Sequence, residues 1–135
     1  IFEEISQIYE KERDKATVTQ EHYTRNQQII SRLKKEYGFR CQLCQKNNYF
    51  NIETLDGYYV EVHHIIPNSE GVDEEGSLDR PGNMIVVCPN HHRYLHWNKG
   101  GNYKLQKEND CLYLANDSDK LAIITDLHLL VYNNL

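Results

Sequence analysis

The chain has one tryptophan, one methionine, three phenylalanines and three prolines among 135 residues. A small domain so short of large apolar side chains benefits from a metal or a cross-link to complete its stability. No run is long or apolar enough to cross a membrane. No signal-peptide pattern opens the chain either: "IFEEISQIYEKERDK" is acidic and helix-like. It starts with Ile rather than Met, so the chain is expected to be a piece of something longer. Positive charge is missing over a long stretch. From Asn47 to Asp79 there are eight Asp/Glu and no Lys/Arg, whereas Lys11 to Lys46 holds nine Lys/Arg against four Asp/Glu. The basic stretch could meet a polyanion, although a solvated helix face is the plainer reading. The acidic stretch argues against a broad nucleic-acid footprint made by this chain alone.

The length allows one domain, or one domain with an appendage. Residues 1–38 read as an N-terminal helical segment or linker, 39–100 as a compact core and 101–135 as a C-terminal β extension. A first helix is expected in the opening segment. A second is expected from about Gln20 to Tyr37, with Thr19 as its cap and Gly38 as its stop. "YFNIETLDGYYVEVHHI" alternates as two strands around Asp56-Gly57, a hairpin signal. "PNSEGVDEEGSLDRPGN" is a turn-rich acidic loop and "MIVVC" a short buried strand. "PNHHRYLHWN" reads as a short helix with Pro89 near its start. "CLYLA" and "LAIITDLHLLVY" are two further strand candidates. The fold class is therefore α+β.

Four cysteines do not read as two disulfides. Cys41 and Cys44 form C-x-x-C, Cys88 and His91 form C-x-x-H, and Cys111 is left over. Each short spacing lets two ligands converge from a tight turn, and two such knuckles complete a closed tetrahedral Zn2+ site of structural type. His92 is an alternative fourth ligand, but the two-residue gap favours His91. This usage fits a reducing, cytoplasmic setting better than secretion.

Once the zinc ligands are set aside, His63, His64, Asn83, His92 and His96 remain. His92 and His96 stand four apart on the expected helix, hence on one face, a natural two-point metal site. His63 could complete a three-histidine cluster that leaves room for water and a phosphate oxygen. His64 would then be free as a general base, a role that suits imidazole because it titrates near neutrality. Neighbours on a strand point to opposite faces, so the strand must end or bend there if both histidines serve one spot. His96 beside Trp97 has the alternative of a packed helix residue, and His63 that of a solvent-facing or outer group. His22 and His128 have no partner in the pattern and receive no role.

In order, "EVHHIIP", "GNMIVVC" and "PNHHRYLH" resemble the HNH nucleases, which have the ββα-metal (His-Me finger) fold. The flanking knuckles resemble those of the zinc-bearing branch, found among nuclease domains of restriction enzymes. The resemblance spans about Arg40 to Trp97. It implies that His64 is the base that activates water and that Asn83 braces the loop and helps orient it. His63 stands where many members have a metal-ligating Asp, and a His-His pair occurs in the bacterial toxin nucleases of the superfamily. Those toxins also carry a helix His-x-x-x-His, matching His92 and His96. Three imidazoles make a softer site than one with a carboxylate, so Ni2+, Mn2+, Co2+ or Zn2+ become plausible beside Mg2+. The expected activity is metal-dependent hydrolysis of phosphodiester bonds in DNA, within a larger restriction or antiviral defence protein. A separate domain would choose the target, and a homodimer is possible because one active site makes one nick. The rivals are a zinc-stabilised nucleic-acid-binding module without catalysis and an RNA-directed HNH nuclease.

Overall fold

The computed structural model describes Gln7 and residues 27–44, 51–67, 78–124, 128–133 and 135. The chain divides into two compact units, Ile1–Ser31 and Arg32–Leu135, and most described residues lie in the second. Apart from Gln7, which is helical, the first expected helix lies outside the described residues, as do the Thr19 cap, His22, the Gln20–Asn26 part of the second expected helix and the acidic stretch from Asn68 to Ser77.

Residues 27–36 are helical (α1). Gly38 and Phe39 then take left-handed backbone, with φ of 59° and 55°. Their N–H groups bond back to the carbonyls of Lys35 and Lys34, each at 2.9 Å. This reversal satisfies the end of the helix and turns the chain into Cys41.

The central unit is strand, strand, helix. Strand β1 (Glu61–His64) pairs antiparallel with β2 (Met84–Val87), setting His63 opposite Ile85 and His64 opposite Met84. All four residues of β2 are buried, so it forms the floor of the unit. Helix α2 (Pro89–Trp97) starts after a single residue, Cys88. Pro89 at the first helical position gives up an N–H that would have no partner there.

The hairpin expected around Asp56-Gly57 is only a tight turn with one bridge, Glu53 to Tyr58. Gly57 is required at that turn. Its φ is 149°, and a Cβ there would lie 2.9 Å from Phe39 Cβ. The second arm departs to pair with β2, whose apolar residues offer Val60 and His63 a buried neighbourhood.

Beyond α2, strands β3 (Lys104–Glu108), β4 (Cys111–Ala115) and β5 (Lys120–Ala122) form an antiparallel sheet in sequence order. β3 was not expected, because an exposed edge strand of sequence KLQKE has almost no apolar alternation to read. The expected strand "LAIITDLHLLVY" is instead β5 followed by a single helical turn, α3 (Leu129–Tyr132). A continuous apolar run does not distinguish strand from helix by period.

One core joins these parts. Cys41 and Leu43 of the first knuckle, Ile85 and Val87 of β2 and Leu95 of α2 pack in one cluster with Tyr103, Leu112, Leu114, Ile123 and Leu129.

 The fully buried Leu129 of α3 closes this cluster. Gln42, between the two knuckle cysteines, is fully buried and acts as a substitute strand. Its N–H donates to the Val86 carbonyl at 2.8 Å, and its Oε1 accepts from the Val86 N–H at 2.9 Å. His128, which the sequence left without a role, is buried between Tyr37 and β2, with Nε2 2.8 Å from the Met84 carbonyl. No helix among the described residues is long and apolar enough to cross a membrane.

Candidate metal centres and active site

Cys41, Cys44, Cys88 and His91 present four ligand atoms within 4.8 Å of one another. His91 Nδ1 lies 3.5, 3.4 and 3.3 Å from the sulfurs of Cys41, Cys44 and Cys88, and the sulfurs of Cys44 and Cys88 are 3.7 Å apart. A tetrahedron with Zn–S of about 2.3 Å and Zn–N of about 2.0–2.1 Å has edges of roughly this length. The donor set and its spacing therefore fit a closed zinc site. Two backbone N–H groups, those of Leu43 and His91, point at the Cys41 and Cys88 sulfurs at 3.4 Å each, while the hydrogen bond to Cys88 and then burial push the Cys41 thiol up. The hydrogen bond from Cys41, with further donors at His91 and Cys44, holds the Cys88 thiol well below the ordinary thiol range despite its burial. Cys111 is exposed and stands apart from the cluster.

A second group lies between β1 and α2. His63, His92 and His96 bring their ligand nitrogens within 4.8 Å of one another. Their ring centroids are 4.8 to 5.3 Å apart, and the Nε2 atoms of His92 and His96 are 3.1 Å apart. His63 is buried, and its Nδ1 has no hydrogen-bond partner. Burial, followed by the neighbouring His92, His96 and His64 charges, pushes the His63 pKa down to about 3. Burial also lowers His96, with His92 and Arg93 adding to the effect. Neutral imidazoles, one with an orphaned nitrogen, are the donors a divalent transition ion takes.

Glu61 belongs to this group, and the sequence reading missed it. Its Oε1 lies 2.9 Å from His92 Nδ1. That bond, assisted by one from Tyr59, keeps the Glu61 carboxyl below its ordinary range. With Nδ1 donating to a carboxylate, Nε2 of His92 is the nitrogen left for an ion, the usual arrangement behind a metal-binding histidine. A signal was present in the sequence. Glu61 and His63 are two apart on a strand and share a face.

His64 ends β1 and is outside the three-histidine group. Its Nε2 lies 2.9 Å from Asp79 Oδ1. Asn83 is buried in the turn Pro81–Asn83 just before β2. Its Oδ1 accepts from the Ile66 N–H at 2.7 Å, and its Nδ2 donates to the Leu78 and Ile66 carbonyls at 2.8 and 3.1 Å. One amide thus ties Ile66, just past the end of β1, to Leu78. The β1–β2–α2 order, the paired knuckles and the histidines on β1 and α2 are together in residues 41–99.

Residues 41–99 match the HNH endonuclease family. Over 81 residues the chain is 36% identical to the type IV methyl-directed restriction enzyme EcoKMcrA of Escherichia coli (strain K12), an alignment covering 59% of the chain and 27% of that protein. The chain therefore spans about a quarter of the length of this curated relative. Among solved structures, it is similar to a modification dependent TagI restriction endonuclease, with a TM-score of 0.45 and 24% identity, covering 78% of the chain and 35% of the other. Within the matched residues 41–99, β1 and α2 carry the three-histidine group, and Cys88 and His91 stand at the start of α2.

Proposed function

We propose that this chain is the cleavage part of a metal-dependent DNA endonuclease. The observation that carries the reading is the convergence of His63, His92 and His96 inside a segment matching the HNH endonuclease family. Residues 39–100 would form the cleavage unit, with 101–135 buttressing it and 1–38 leading into it. His63, His92 and His96 would hold a divalent ion such as Mg2+, Mn2+ or Ni2+. When bound, that ion supplies positive charge against a phosphate oxygen and the departing 3′ oxygen. His64 takes the proton from the attacking water. Asn83 keeps the His64 end of β1 against the loop. Cys41, Cys44, Cys88 and His91 hold Zn2+ and take no part in the chemistry.

DNA is favoured as substrate by the resemblance to a methyl-directed restriction enzyme. That relative is much longer than the aligned segment, which supports a separate target-choosing domain. Cleavage of plasmid DNA by the intact protein, with Mg2+, Mn2+ or Ni2+ supplied, tests the reading. His64→Ala should abolish cutting, with a loss of about 100-fold or more, while fold and metal content stay unchanged. Normal cutting by that variant would sink the assignment of the base.

A further inference from the structure

We infer that Asp79 is a positioning residue whose carboxylate fixes the tautomer and ring orientation of His64. The role of His64 as base rests on the nuclease reading above; the pairing with Asp79 rests on geometry. A carboxylate oxygen only accepts, so the proton shared between Asp79 Oδ1 and His64 Nε2, 2.9 Å apart, belongs to Nε2. In the neutral ring the lone pair is then on Nδ1. Among the described residues, no second hydrogen-bond partner of His64 occupies that nitrogen. Nδ1 is therefore the atom free to receive a proton from water. Without the carboxylate, two tautomers and several ring rotations compete, and only part of the population is ready to act.

The backbone around the pair is built to hold it. Asn83 Nδ2 grips Leu78, the residue before Asp79, while Asn83 Oδ1 and Nδ2 both grip Ile66, two residues after His64. The Asn83 N–H closes the turn onto the Arg80 carbonyl at 3.0 Å. A single buried amide thus brings the two chain segments together from both sides. The side chains of His64 and Asp79 remain 21% and 42% exposed, open enough for water to reach the ring. Asp79 is therefore more than one more charge at the end of an acidic loop.

The test uses the intact, zinc-loaded protein. Asp79→Ala should lower kcat for plasmid cleavage by about 10- to 100-fold, the range for groups that orient a working imidazole. KM for DNA should not rise, because a negative charge has been removed from the phosphate's approach. Asp79→Glu should recover part of kcat. Heteronuclear NMR of the His64 ring nitrogens should find the proton on Nε2 in the wild type and shared with Nδ1 in Asp79→Ala. Wild-type kcat in Asp79→Ala, or a proton that stays on Nε2 without the carboxylate, overturns the inference. If the wild type cuts no nucleic acid at all, the nuclease reading fails, and the NMR result still decides the pairing.

Discussion

Glu61 reaches across from β1 to the His92 ring, and Tyr59 reaches Glu61 in turn at 3.1 Å. This chain sets which nitrogen of His92 faces the other two histidines. Glu61→Gln should therefore weaken divalent-ion binding at the three-histidine group by about 10- to 100-fold, read by calorimetric titration with Ni2+ or Co2+. Zinc content at the knuckles should not change. At this scale the sequence was legible where spacing fixes geometry. His92 and His96 share a helix face whatever the tertiary structure. The partners of rings were not legible. Nothing in the order of residues says that Asp79, across a loop, would find His64, and His128 found Tyr37 and Met84 over 91 and 44 positions of sequence.

At the scale of elements, Cys88 does two jobs. It is a knuckle sulfur and the N-cap of α2, accepting from the His91 N–H. The helix that carries His92 and His96 is fixed at its first turn by the same group of ligands that would hold zinc. Cys41→Ser should lower zinc content and the thermal midpoint together, by about 10 °C or more if roughly 3 kcal/mol is lost. Atomic emission on the purified variant and a melting curve check both. The strand–strand–helix order was readable from "EVHHIIP", "MIVVC" and "PNHHRYLH", since apolar runs and a proline at a helix start are local signals. The C-terminal sheet was harder. β3 is polar and exposed, and the last apolar run changes from strand to helix where tertiary packing, not period, decides.

Across the whole molecule, α2 and the C-terminal sheet region are joined by Asp119, which accepts from the hydroxyls of Tyr94 and Tyr103. These bonds, that from Tyr94 first, hold the Asp119 carboxyl below its ordinary 3.8. A depressed carboxyl contributes stability above its unfolded pKa and loses it as pH falls through the folded value. Tyr103 works on the alkaline side. Burial and then Asp119 raise its phenol, so its contribution is present below its ordinary 10.0 and lost as pH rises through the raised value. The gap in melting temperature between the wild type and Asp119→Asn should be widest near neutrality and close as the pH is taken below 3.8. Melting curves over a pH series measure it.

His91 and His92 are consecutive, yet one belongs to the sulfur-rich group and the other to the imidazole group. A helix turns by about 100° per residue, and that single step sends the two rings to different destinations. Deleting one residue between Cys88 and His91 would put His92 in the place of His91 and Arg93 in the place of His92, and inserting one would put His91 in the place of His92, so either change costs at least one group an imidazole. This short segment should therefore tolerate many changes of side chain elsewhere, but no change of length.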